Sequence, residues 1–208
     1  MHSLKVIGLG PGHPDYILPI AKKEIAKAQL ILCGKRHLES FDHRDKELLT
    51  IGEGTPLKDL MLSVAARYRE TPTAIVVSGD TGFYSLLSYA KRMVPEKDIV
   101  TIPGISSLQY FFAKLNKTWQ DAKLISMHGR ETNLLKAVLE NTTVGILTDD
   151  THHPAHIAKT LVDAGINNKI IHIGEDLSYP EERITSIPLS LGVSYETKGM
   201  SVVVIADE

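Results

Sequence analysis

The sequence predicts an α/β protein built as two α/β domains, the second with a mixed sheet, on three observations. Short apolar segments alternate with segments of helical spacing through the first half, an order that gives a mostly parallel sheet covered by helices. The polar stretch Asn116-Lys117-Thr118-Trp119-Gln120-Asp121-Ala122 then breaks the pattern and separates a domain of residues 1–116 from one of residues 122–208. Finally, residues 183–188 and 201–206 read as strands with no helix between them, which requires antiparallel pairing near the C-terminus.

In chain order, residues 4–9 form an apolar strand, and residues 16–28 a helix with Ile17, Ile20, Ala21 and Ile25 at helical spacing. Residues 29–33 and 47–51 are strands. Residues 56–68 form a helix with Thr55 as N-cap and Pro56 in the first position, where a missing N–H costs nothing. Residues 73–78 (Thr-Ala-Ile-Val-Val-Ser) are a continuous apolar strand of the kind buried on both faces. A helix at 83–93, a strand at 99–102 and a helix at 106–115 complete the first domain. The second follows as strand 123–127, helix 133–140, strand 144–148, helix 155–164 and strand 169–173, ahead of the two final strands.

Composition narrows the function. A chain of 208 residues can bury a sizeable core, and its net charge of −2 gives no general attraction to nucleic acid or to an anionic membrane. The single cysteine, Cys33, lies in an apolar run, which excludes an internal disulfide and predicts an inert core thiol. No apolar stretch approaches the ~18 residues of a membrane span. The first strand begins at Leu4, leaving no room for a signal peptide, so a soluble, cytoplasmic protein is expected.

The chemistry concentrates in glycine turns at strand ends. Gly8-Leu9-Gly10-Pro11-Gly12 follows the first strand and lets backbone lie close to a ligand. It is not a dinucleotide fingerprint: the third glycine comes one residue early, Pro11 lacks an N–H, and the second strand ends without a carboxylate. Ser78-Gly79-Asp80-Thr81-Gly82-Phe83-Tyr84 and Pro103-Gly104-Ile105-Ser106-Ser107 follow two further strands. In an open parallel sheet, ligands bind beyond the carboxyl ends of the strands, so the three turns should line one edge. None carries the lysine of a phosphate-cradling loop. Asp80 can accept hydrogen bonds from an ammonium or a ribose hydroxyl, or can cap a helix. Ser106 and Ser107 offer hydroxyls and N–H groups to a carboxylate or to adenine nitrogens, or an N-cap. The implied ligand is a small zwitterion bearing a nucleoside, not a polyphosphate.

These turns resemble those of the tetrapyrrole methylases, the S-adenosylmethionine-dependent family that modifies uroporphyrinogen and precorrin rings. The residues carrying the resemblance are Val6-Ile7-Gly8-Leu9-Gly10-Pro11-Gly12-His13-Pro14-Asp15, the 78–85 turn and Ile102-Pro103-Gly104-Ile105-Ser106-Ser107. In the second domain Ser126-Met127-His128-Gly129-Arg130, Leu147-Thr148-Asp149, Ile173-Gly174-Glu175-Asp176-Leu177-Ser178 and Glu182-Arg183 resemble the branch that methylates C-5 of a precorrin-7-type ring in cobalamin synthesis. Many relatives have proline after the aspartate of the second turn; Thr81 here fits the C-5 branch. The resemblance implies a two-domain fold with the methyl donor in the cleft between domains, usually in a homodimer. It assigns Pro11, Ser78, Gly79, Asp80, Phe83, Ser106 and Ser107 to the donor, with Thr148 and the Glu175-Asp176 neighbourhood closing over it. It also raises contacts with other enzymes of the cobalamin pathway.

Transfer from a sulfonium to carbon is an in-line displacement that needs alignment rather than a covalent nucleophile or a protein-bound metal. If a proton leaves the ring, His128 is the candidate base, although it can equally cap the next turn. Lys35-Arg36-His37 and Arg130 are the candidate cations for the substrate's carboxylates. His152 and His156 would share a helix face at i, i+4, but Pro154 starts the helix between them, so the stretch predicts a loop and helix start and no metal site. Other acceptors left open are the metal-free precorrin, diphthine and ribosomal RNA; a non-catalytic donor-binding module is a further alternative.

Overall fold

A computed structural model describes residues 1–129 and 132–207. By packing, the chain divides into two compact units, Met1–Ser106 and Ser107–Glu208.

The first unit runs β1 (Leu4–Gly8), α1 (Pro19–Lys27), β2 (Leu30–Gly34), β3 (Glu47–Ile51), α2 (Leu57–Arg67), β4 (Thr73–Val77), α3 (Leu87–Met93) and β5 (Ile99–Ile102). Its sheet is wholly parallel in the order β3-β2-β4-β1-β5. Side chains alternate across the strands. Val6, Leu32, Ile75 and Val77 pack with Leu60, Met61 and Val64 of α2, while Ile7, Ile31, Cys33 and Val76 pack with Ala21 and Ile25 of α1. The central strands are therefore buried on both faces, and each fully buried Ile, Leu or Val contributes about 1.5–3 kcal/mol. Burial pushes the Cys33 thiol up to about 11, which fits an inert core position.

Several element ends differ from the sequence expectation, each for a local reason. The first helix begins at Pro19, not at residue 16, because Leu18 before the proline is extended (φ −58°, ψ 139°) and Pro14–Tyr16 forms a separate 3-10 turn. Pro56 is itself the N-cap of α2, in place of Thr55, and makes no side-chain cap. Helix α3 starts at Leu87 rather than residue 83. Tyr84 has φ +51°, which ends any right-handed helical run there, and Ser85 Oγ accepts the Leu87 N–H (3.1 Å).

The second unit runs α4 (Ser107–Lys114), β6 (Lys123–Ser126), α5 (Leu134–Glu140), β7 (Thr143–Leu147), α6 (Pro154–Asp163), β8 (Lys169–Glu175), β9 (Arg183–Pro188), α7 (Leu189–Gly192) and β10 (Ser201–Asp207). Its sheet has the order β6-β7-β10-β8-β9, with β6 and β7 parallel and the other pairs antiparallel, the mixed sheet the sequence predicts. One face is covered by α5 and α6 through Val138, Ile157 and Leu161 packed on Ile146, Ile173 and Val203. The other receives α4. A Cβ on Gly145 of β7 would lie 3.2 Å from the Phe112 ring, and one on Gly174 of β8 would lie 2.9 Å from the Phe111 ring. Bare backbone at these two strand positions makes room for the aromatic face of α4. The units thus divide ahead of Ser107, before the 116–122 stretch, because α4 packs on the second sheet. The four-residue α7 between β9 and β10, where no helix is expected from sequence, is too short to show a periodicity. No described helix is long and apolar enough to cross a membrane.

Candidate functional site

In the first unit the three glycine turns follow β1, β4 and β5, which are neighbours in the sheet. Their backbones touch. Gly10 and Gly79 exchange N–H···O bonds of 3.1 and 2.8 Å, and the Leu9 N–H donates to the Val77 carbonyl at 2.9 Å. A Cβ on Gly8 would lie 2.5 Å from the Gly79 carbonyl oxygen, and one on Gly104 would fall on the same oxygen. Only glycine permits this approach, so the turns form one backbone cluster. Asp80 fastens it: Oδ1 accepts the Gly82 N–H at 2.8 Å and Oδ2 accepts the Gly104 N–H at 3.1 Å. The carboxylate therefore ties the β4 turn to the β5 turn, and each oxygen keeps a lone pair for a further donor. Pro11 lies in the β1 turn, and the half-buried Phe83 ring meets Tyr84 edge-on at 4.8 Å. Ser106 ends the β5 turn and Ser107 opens α4.

The 3-10 helix Lys35–Ser40 after β2 joins this edge. Both Arg36 and His37 reach Ser78: Arg36 Nη2 donates to Ser78 Oγ, and His37 Nε2 lies 2.8 Å from the same oxygen. His37 is not the cation that its place beside Lys35 and Arg36 suggests. Burial, assisted by the Arg36 charge, lowers its pKa to about 4, so the ring is neutral. Lys35 instead faces Glu53 at 3.6 Å, with both side chains exposed.

In the second unit, His128 and Thr148 come together. His128 Nδ1 lies 3.2 Å from the Thr148 carbonyl oxygen. A carbonyl only accepts, so Nδ1 carries the hydrogen and Nε2 is the ring nitrogen through which a proton could be taken up. Asp149 holds the same turn. Its Oδ2 accepts the Gly129 N–H at 3.0 Å, while Oδ1 accepts the His152 N–H at 2.7 Å and faces His152 Nδ1 at 3.0 Å. These N–H donors, Gly129 first, hold the Asp149 carboxyl well below the usual carboxylate range. His152 is thereby drawn to Asp149, and His153 caps α6 through an Nδ1 that accepts the His156 N–H at 3.4 Å. Arg130, expected to meet a substrate carboxylate, lies outside the described residues.

Thr148 and Asp176 turn toward β10. The Thr148 hydroxyl bonds the Ser201 carbonyl and lies 2.9 Å from Ser201 Oγ. Asp176 (φ +43°) accepts the Met200 N–H on Oδ1 at 3.1 Å, and its own N–H donates to the Met200 carbonyl at 2.8 Å. A Cβ on Gly199 would collide with this carboxylate. Glu175, fully buried, accepts from Arg183 (2.6 Å), Tyr195 and the Lys198 N–H (2.6 Å). Burial opposes its ionisation, yet the three donors prevail and the carboxyl is lowered. The loop before β10 is thus pinned by two consecutive carboxylates. Sequence reasoning singled out that pair but not Gly199, Tyr195 or Lys198, which gather only through the β8–β10 pairing.

The family model for Tetrapyrrole (Corrin/Porphyrin) Methylases matches residues 3–191. The chain belongs to this family. Over 206 residues this tetrapyrrole methylase is 33% identical to the cobalt-precorrin-7 C(5)-methyltransferase of Salmonella typhimurium, covering 99% of each chain. Among solved structures, the cobalamin-biosynthetic precorrin-6Y methylase of Archaeoglobus fulgidus superposes with a TM-score of 0.75 at 22% identity, covering 100% of both chains. A uroporphyrin-III C-methyltransferase from Thermus thermophilus, solved with S-adenosyl homocysteine, gives a TM-score of 0.74 at 18% identity over 98% of this chain and 92% of that one. These two likenesses establish the methylase fold.

Proposed function

We propose that this tetrapyrrole methylase transfers a methyl group from S-adenosylmethionine to a precorrin-type ring in cobalamin synthesis, with C-5 of cobalt-precorrin-7 as acceptor. The end-to-end match to the Salmonella typhimurium enzyme carries the proposal, since 99% of each chain has a counterpart in the other. The donor set of the glycine turns supports it. Backbone groups, hydroxyls and the single Asp80 carboxylate, without a lysine, suit a zwitterion with ribose hydroxyls better than a polyphosphate.

When bound, the donor supplies a methyl already activated on a sulfonium, so the protein's work is orientation, worth up to ~7–11 kcal/mol in favourable cases. Pro11, Ser78, Gly79, Asp80, Phe83, Ser106 and Ser107 are assigned to hold the donor, with Thr148 and Asp176 assigned to it by the family resemblance. Arg36, Lys35 and Arg130 are assigned to the carboxylates of the ring. His128 is assigned to take a ring proton at Nε2, a role its Nδ1–H···O=C bond to Thr148 favours. The protein is taken to work in the cytoplasm as a homodimer.

Incubation with labelled S-adenosylmethionine and, separately, cobalt-precorrin-7 or metal-free precorrin-7, read by product mass, tests the proposal. One added methyl on the cobalt substrate is the expected result. Methylation of the metal-free ring alone would move the acceptor to that branch. No product from either, in protein that binds the donor, would contradict methylation of a precorrin and favour a binding module or an acceptor such as diphthine or RNA.

A further inference from the structure

Ser78 Oγ, at the carboxyl end of β4, is the meeting point of two side chains from the 3-10 helix that follows the neighbouring β2. A serine hydroxyl has one proton to donate and two lone pairs. Arg36 can only donate, and its Nη2 takes one lone pair. Arg36 Nε also points at His37 Nε2, at 3.5 Å, so that nitrogen is the acceptor of the ring. The Ser78 proton therefore goes to His37 Nε2 across 2.8 Å, and the His37 hydrogen sits on Nδ1, a buried atom with no hydrogen-bond partner. The neutral state of the ring agrees with this assignment, because a charged imidazole would have no lone pair to offer.

We infer that His37 is a positioning residue for Ser78: by taking the hydroxyl proton it leaves Oγ able only to accept, so Ser78 selects a neutral hydrogen-bond donor on its ligand. A carboxylate is rejected for want of a proton. An ammonium is disfavoured because the Arg36 guanidinium shares the same oxygen. On an adenosine-bearing methyl donor, the groups that qualify are a ribose hydroxyl and the adenine amino group. The inference rests on the proposed donor site and adds to it the polarity of one contact and the residue that sets it.

The test is calorimetric binding of S-adenosylhomocysteine and three analogues, lacking the 2′-hydroxyl, the 3′-hydroxyl or the 6-amino group, to wild type, Ser78→Ala, His37→Phe and His37→Gln. In wild type one of the three deletions should weaken binding roughly three- to tenfold, the worth of one neutral hydrogen bond. That penalty should vanish in Ser78→Ala and shrink in His37→Phe. His37→Gln, whose amide oxygen can take the same proton, should restore it. The Phe variant loses the Ser78–Nε2 hydrogen bond along with the unpartnered Nδ1, so its melting temperature is measured beside its affinities, and the Gln variant keeps the test open should it unfold early. A His37→Phe protein with the full wild-type penalty would overturn the inference alone, as would equal penalties in Ser78→Ala and wild type. Failure of wild type to bind S-adenosylhomocysteine at all would overturn the donor site and the inference together.

Discussion

Asp80 joins two turns and is proposed to hold the donor, so its replacement should be felt twice. Asp80→Ala removes the acceptors of the Gly82 and Gly104 N–H groups and should cost about 1–3 kcal/mol in denaturant unfolding. It should also weaken S-adenosylmethionine binding, with Asp80→Asn, which keeps one acceptor oxygen, falling between. Lost stability with unchanged donor affinity would leave Asp80 as a brace only. His37 yields a pH prediction at the same scale. Its pKa is about 4 in the fold against 6.5 for the free side chain, so between those values the unfolded chain binds more protons. Stability should fall as pH drops from 6.5 to 4, with His172, lowered by burial and by Lys117, adding in the same direction. Unfolding curves of His37→Phe across that window should be flatter than those of wild type; identical slopes would show that His37 is not held neutral. Asp80 stood out in the sequence as the one carboxylate within the three glycine turns, and its tie to Gly104 became visible only in the fold. The neutrality of His37 was not legible in the sequence, since it arises from burial in the fold, assisted by the Arg36 charge.

At the scale of elements, packing of α4 rests on glycines in the strands beneath it. Gly174→Ala would press a methyl into the Phe111 ring, 2.9 Å away, and should cost about 1–3 kcal/mol. Phe111→Ala, which empties a fully buried site, should cost about 3–5 kcal/mol. If the two substitutions together unfold the protein less than their sum, the ring and the glycine share one contact; strict additivity would argue that they do not. Strands were the most legible elements, because buried parallel strands are continuous apolar runs bounded by glycine or polar residues. Helix starts were less so. Pro19 and Pro56 displaced two of them by forcing extended backbone before or at the helix, and the positive φ of Tyr84 displaced a third, which residue type alone does not announce.

Over the whole molecule, the alternation of strands and helices foretold two α/β units and a mixed second sheet. The strand order β3-β2-β4-β1-β5 lay beyond the sequence, because crossovers that skip a strand leave no local mark. That order makes the β1, β4 and β5 turns neighbours, which turns three separate glycine motifs into one backbone cluster. The division at Ser107 was hidden for a similar reason: α4 follows β5 in sequence yet packs its aromatic face on β7 and β10. The acceptor carbon of the methyl group can be read by carbon-13 NMR of the product of cobalt-precorrin-7 and carbon-13 methyl-labelled S-adenosylmethionine. A single labelled methyl carbon bonded to C-5 of the ring is expected; label at another ring carbon, or an unlabelled ring recovered from protein that binds the donor, would refute C-5 methylation.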